Sequence, residues 1–322
     1  MPLAEKSLIA RIRSQAKTGR GIVTGIGDDS AVLRVSPGHE ALVTTDFSLE
    51  GVHFRREWHP AESVGHRCLT RGLSDIAAMG GEPIAAFVSL ALPRDLPQSW
   101  VNGFSKGLLQ LADRFGVSLA GGDTAQSPGG ILADVVVFGS APRGKAVLRS
   151  GARPGDQIYV SGELGGSAAA LGQLRNTRDH RLNPQYFPRH FFPEPRLALA
   201  RILRERGLAS AMIDLSDGLS TDLTHICVES GAGASILAEA VPRATIGKHA
   251  HEVDLQFALH GGEDYELLFT VPHGKQLPAR LAGVAITHIG QISRDQKIFL
   301  THSGGSRSRL KAQGWEHFAG RK

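Results

Sequence analysis

Cysteine is scarce in this chain: only Cys68 and Cys227 occur among 322 residues, with no CxxC pair and no metal-ligand spacing. That excludes a disulfide framework and a structural zinc centre. Long apolar runs are also missing, since no stretch reaches the length that spans a bilayer and the opening MPLAEKSLIARIRSQ has no uninterrupted apolar core. A signal peptide or membrane anchor is therefore not expected, and the chain reads as cytoplasmic. Aromatic residues make up 6%, and the basic stretches 201–206 and 307–311 are not interleaved with them. A single-strand stacking platform needs that interleaving, so the net charge of +5 points to solvated surface and not to a nucleic-acid partner. The common nucleotide signatures are absent too: there is no GxxxxGK[ST], no kinase-type catalytic loop, and GIGDDS lacks the last glycine of the dinucleotide fingerprint.

The composition that is present, 41% hydrophobic and 21% charged, is that of a folded globular protein. The length suits two domains, and the Gly- and Pro-marked stretch RSGARPGDQIYVSG (149–162) places the boundary between 1–148 and 149–322. Apolar periodicity predicts helices over 2–16, 63–80 and 99–116, and strands over 39–47, 83–93, 117–123 and 131–141. The second half repeats the style, with strand QIYVSG, helix SAAALGQLR, helix LALARILRERG and a β-type end to QFALHGGEDYELLFTVP. The expected class is α/β (α+β), each domain a mixed sheet packed with helices.

Acidic residues recur at the ends of these apolar segments, in TTD (44–46), LSD (73–75), GGDT (121–124), DLSDG (214–218) and GGEDYE (261–266), and as a pair in GIGDDSAVL (25–33). One such aspartate is ordinarily a helix cap or an Asx-turn. Five segments together are harder to treat as independent caps. Clustered carboxylates are tolerable when a cation sits among them, and oxygen ligands without Cys or His spacing select a hard ion, with Mg2+ the natural candidate. Mg2+ held by a few carboxylates takes its remaining ligands from water and phosphate, which implies ATP. Glycines at 121–122 and 261–262, and SGELGGS (161–167) ahead of a helix, would let backbone N–H groups approach phosphate.

The ordered set GIGDDSAVL, TTDFSLEGVHF, LSDIAAMGGEP, GGDT, SGARPGDQIYVSG, DLSDGLSTDL and GGEDYELLFTV resembles the thiamine-monophosphate kinase family, from about residue 7 to residue 318. That family shares a two-domain ATP-binding fold with aminoimidazole ribonucleotide synthetase. The resemblance implies a homodimer pairing through its N-terminal sheets, with ATP and several Mg2+ ions held by acidic residues. The implied reaction converts ATP and thiamine monophosphate to ADP and thiamine diphosphate by direct in-line transfer, with no covalent intermediate and no general base. By the same resemblance Asp29, Thr44, Thr45, Asp46, Asp75, Asp123, Asp214 and Asp217 are metal ligands, with Asp28 orienting Asp29 or a metal-bound water. Phe104, Gly122, Asp123, Arg149 and Ser216 are nucleotide contacts, and His53, Glu263 and Trp315 meet the thiamine end. Taken from the residues alone, Phe104 and Trp315 read as packing positions. Another ATPase of the same superfamily with a different phosphate or amide acceptor, and a non-catalytic nucleotide or Mg2+ module, stand as the alternatives.

Overall fold

The computed structural model describes residues 1–177 and 181–318. By its contacts the chain divides into two compact units, one of Met1–Ile76 with Gly81–Lys145, the other of Ala77–Gly80 with Ala146–Lys322.

The first unit begins with α1 (Glu5–Gln15) and a small antiparallel pair, β1 (Ile22–Thr24) with β2 (Val32–Leu33). Then come β3 (His39–Leu49), α2 (Ala61–Ala78), β4 (Glu82–Pro93), α3 (Gln98–Phe115), β5 (Ser118–Ser127) and β6 (Leu132–Pro142). Its sheet has the order β3-β6-β4-β5, antiparallel except for the parallel β4–β5 pair. On α3 the residues Val101, Phe104, Leu108, Leu111 and Ala112 recur at helical spacing and are buried, and Gly116 in a left-handed conformation ends the helix. Side chains alternate along β3, so Leu42, Thr44, Asp46 and Ser48 share the face that meets α2, where Gly72 lies against Val137 and Thr44. Val43, Thr45 and Phe47 share the opposite face and are exposed.

The second unit runs through β7 (Gln157–Ser161), α4 (Gly166–Asn176), α5 (Pro188–Phe191), α6 (Leu197–Glu205), β8 (Ala211–Asp214), α7 (Leu219–Glu229) and β9 (Gly233–Leu237). It continues with β10 (Thr245–Ile246), β11 (His251–Glu252), α8 (Leu255–His260), β12 (Leu267–Val271), β13 (Arg280–Leu281), β14 (Val284–Ser293), β15 (Ile298–Thr301) and β16 (Arg307–Arg309). The main sheet has the order β16-β15-β9-β14-β7-β12-β8, with β13 beside β14 and a single parallel pair, β9 with β15. Its core joins Ile158, Val160, Ile213 and Leu268 of the strands to Leu219, Leu223 and Ile226 of α7. Both units are thus mixed sheets packed with helices, as the periodicity predicted. Among the described residues no helix is long and apolar enough to cross a membrane.

One element departs from the sequence reading. The strand expected to end in glycines at 121–122 runs on to Ser127, because those glycines serve β4. Gly122 sits at φ 146° beside the Val88 carbonyl, and a Cβ there would fall 2.0 Å from that oxygen.

Candidate active site

In the first unit, strand alternation sorts the candidate ligands onto two faces. On the face toward α2, the Thr44 hydroxyl donates to the Asp75 carboxylate, and Asp46 and Asp75 are hydrogen-bonded to each other. Burial pushes the Asp46 carboxyl from 3.8 up to about 7, the Asp75 charge adds to the effect, and the Arg71 guanidinium opposes it. Two carboxyls joined in this way repel when both are ionised, and a hard cation between them relieves that repulsion. Beneath them Cys68 is buried, its thiol pushed up to about 12 by that burial, with Ser48 hydrogen-bonded to it. This thiol is structural.

On the opposite face, Thr45 Oγ1 donates to Asp134 Oδ1 at 2.8 Å. Asp134 pairs across the sheet with Phe47 on one side and Ser89 on the other, and Ser89 pairs with Asp123. Asp123 and Asp134 therefore lie on one cross-strand row with Thr45 at its edge. Sequence reasoning missed Asp134, although a lone carboxylate inside the apolar run ILADVVVFGSA was a visible signal. The Thr124 hydroxyl is buried with no partner among the described residues, and the Asp123 carboxylate accepts the Thr124 amide at 2.8 Å.

Asp28 and Asp29 stay exposed, the Asp29 amide donating to Asp28 Oδ1 at 3.0 Å. His53 is held in its own turn, where Nδ1 accepts the Leu49 amide at 3.0 Å and so leaves the proton on Nε2. Phe104 is 2% exposed and stacked on Trp100 with 5.6 Å between ring centroids. The structure sets its ring in the core of its unit, as a packing position.

In the second unit, the DLSDG and GGEDYE segments lie side by side. The Glu263 amide donates to the Ser216 carbonyl at 2.8 Å, the Tyr265 amide to the Leu215 carbonyl at 2.9 Å, and the Leu215 amide to the Glu266 carbonyl at 2.8 Å. Glu263 and Tyr265 adopt left-handed φ values of 65° and 51°, strain that this pairing sustains. The Trp315 amide donates to the Asp217 carbonyl at 3.1 Å, so Ser216, Asp217, Glu263 and Trp315 come together. Asp222 caps α7, accepting the amides of Asp217 at 3.2 Å and Gly218 at 3.0 Å. Burial raises its carboxyl well above the usual range, and the charges of Asp214 and Asp217 raise it further. Asp217, Asp222 and His225 bring one ligand atom each within 4.8 Å of one another. Arg149 is exposed, its carbonyl accepting the Ser230 hydroxyl at 3.3 Å.

The SGELGGS turn is corrected by the structure. Its amides at Gly165 and Ser167 are taken at 2.7 Å and 3.5 Å by the buried Asp264, whose carboxyl burial pushes up to about 7. A protein carboxylate fills the N-terminus of α4 where a phosphate was expected. Next to it Glu266 is wholly buried and accepts Arg196 Nε at 2.6 Å, Arg189 Nη1 at 3.2 Å and the Ser161 hydroxyl at 2.5 Å.

Comparison with known proteins bears on these geometries. Residues 27–141 match the family described as AIR synthase related protein, N-terminal domain, and residues 153–303 match its C-terminal domain. A thiamine-monophosphate kinase from Salmonella typhimurium is 38% identical over 329 residues, covering 99% of both chains. This chain belongs to the thiamine-monophosphate kinase family. The solved thiamine-monophosphate kinase from Stenotrophomonas maltophilia K279a superposes with a TM-score of 0.80 at 34% identity, covering 93% of this chain and 97% of that one. The solved structure of AaThiL complexed with AMPPCP and TMP gives a TM-score of 0.76 at 32% identity over 99% of each chain. Within the thiamine-monophosphate kinase family, then, this chain carries the acidic segments on the strands, helix and turns described above, with Asp134, Thr124 and Asp222 beside those that the sequence had singled out.

Proposed function

We propose that this protein transfers a phosphoryl group from ATP to thiamine monophosphate, forming ADP and thiamine diphosphate. The observation that carries the reading is the match to a thiamine-monophosphate kinase, 38% identical across 99% of both chains. The acidic segments support it.

The acceptor is a phosphate that is ionised at neutral pH, so no residue need act as a general base. The difficulty is the approach of two anions. Asp46, Asp75 and Thr44, with Asp29, Thr45 and Asp123, and Asp214 with Asp217 in the second unit, are the residues that would hold Mg2+. The fit rests on the donor set at the Asp46–Asp75 pair, two hydrogen-bonded carboxyls with the Thr44 hydroxyl beside them, all hard oxygen ligands. When bound, several such ions neutralise the phosphate chains and the charge spread over the transferring group.

The remaining tasks fall to the chain itself. Gly122, Arg149 and Ser216 are assigned to the nucleotide, Arg149 offering a planar cation that matches phosphate. Glu263 offers a carboxylate to the cationic thiazolium ring, Trp315 an aromatic face, and His53 the Nε2 proton fixed by its turn. A homodimer is part of the proposal, supported by Val43 and Phe47, which stand 65% and 54% exposed on the outward face of β3. Two free, buried thiols accord with a cytoplasmic setting.

The test is to quantify products after mixing the protein with ATP, Mg2+ and thiamine monophosphate, with thiamine as the parallel acceptor. Thiamine diphosphate formed one-for-one with ADP, only from the monophosphate and only with Mg2+, is the expected result. ADP released without the diphosphate would move the activity to another acceptor. Nucleotide binding without turnover would leave a binding module.

A further inference from the structure

Residues 311–318 form no helix or strand, yet three successive amides there are individually engaged. Gln313 N–H donates to Ser220 Oγ at 3.3 Å, Gly314 N–H to Thr221 Oγ1 at 3.0 Å, and Trp315 N–H to the Asp217 carbonyl at 3.1 Å. All three acceptors come from the turn that opens α7. Ser220 is wholly buried, and its hydroxyl accepts from Gln313 and is hydrogen-bonded to His260 Nδ1 at 2.8 Å. His260 is the last residue of α8, directly before the GGEDYE turn, so the same hydroxyl ties the tail to the segment that carries Glu263.

Gly314 makes this docking specific. A Cβ at that position would fall 2.0 Å from the Asp217 carbonyl oxygen and 2.6 Å from Thr221 Oγ1. Any other residue there forces the tail off the turn. The Asp217 peptide thus holds Trp315 by its carbonyl, while its side chain belongs to the acidic group with Asp222 and His225.

We propose that Ser220, Thr221 and Gly314 are positioning residues that dock the C-terminal segment on the start of α7 and thereby set Trp315 at the thiamine end of the site. The inference rests on the kinase reading above for what Trp315 meets. Tail and turn form one unit, so the fit of the acceptor depends on the docked strap.

The experiment uses the full chain with Gly314→Ala, and Thr221→Val as a second variant that approaches the contact from the other side. Acceptor and ATP kinetics are measured on both, together with fluorine NMR of 5-fluorotryptophan-labelled protein. The three tryptophans, Trp58, Trp100 and Trp315, give separable signals, and Trp315→Phe assigns the third. Trp315 is already exposed in the docked tail, so in Gly314→Ala its signal shifts and narrows as the tail is released, and KM for thiamine monophosphate rises about tenfold, while KM for ATP stays within about twofold. Thr221→Val shifts both readouts in the same direction by less. An unmoved Trp315 signal overturns the docking, and a moved signal with both KM values unchanged or raised alike overturns the positioning role. A wild-type protein that makes no thiamine diphosphate overturns the kinase reading instead, and the fluorine signal then decides the docking by itself.

Discussion

Asp46, inside β3, and Glu266, directly before β12, are both acids on core-forming strands, and the structure treats them in opposite ways. Glu266 is enclosed by donors: two guanidiniums, a hydroxyl and, through Ser161, the Leu267 amide. Asp46 has another carboxyl as its hydrogen-bond partner, and its neighbours Asp75 and Asp134 push its proton on more firmly. A buried acid with internal cations is a building element, whereas a buried acid facing acids waits for a cation from outside. The second unit uses its carboxylates for architecture at Asp264 and Glu266, whereas Asp46 and Asp75 of the first are the ones proposed for a ligand.

The largest effect that separates the two is on stability. Glu266→Gln leaves Arg189 and Arg196 without their buried counter-charge, and lowers the unfolding free energy by about 3–5 kcal/mol. Urea titration of the full chain measures it, and a loss under about 1 kcal/mol would show that the arginines find other partners. Asp46→Asn should do the reverse. It relieves a like-charge contact, so the metal-free protein at pH 8 is at least as stable as wild type, while turnover at saturating Mg2+ falls about a hundredfold or more. Near-normal turnover would remove Asp46 from the metal set.

A smaller effect sharpens the contrast through pH. Asp46 and Asp264 both rise from 3.8 to about 7, so between those values the folded chain binds more protons than the unfolded chain. Their stabilising contribution is complete below pH 4 and is lost as pH rises through about 7. Mg2+ should cancel the loss that belongs to Asp46 and leave untouched the part that belongs to Asp264. Melting curves from pH 5 to 8 would show Asp264→Asn flattening the slope with or without Mg2+, and Asp46→Asn flattening it only without. An equal response of both variants to Mg2+ would break the comparison.

Much of the fold was legible because burial follows periodicity. Strand 83–93 and helix 99–116 lie within a residue or so of the observed β4 and α3, since both are bounded by proline or glycine and carry apolar residues at the right spacing. The acidic segments were legible as a group. Their division was not: nothing in LSD or GGEDYE tells which carboxylate will meet an arginine brought in from seventy residues away, as Arg196 is to Glu266. Glycine was misread for a related reason. In SGELGGS the local pattern of a phosphate turn is also the pattern of a backbone whose amides meet a buried carboxylate. Ser220 and Thr221 were invisible because they read as the ordinary polar start of a helix.

Thr44 and Thr45 are neighbours in the chain, yet they serve opposite sides of one sheet, and that gives β3 a parity. Inserting a single residue before Thr44, with the pairing of β6 kept, would turn Asp46 outward and Thr45 inward, exchanging both rows of donors at once. An insertion of two residues would lengthen the strand and leave each donor on its own side. Length variation in this strand is therefore tolerable only in even steps, a rule that both faces impose at once.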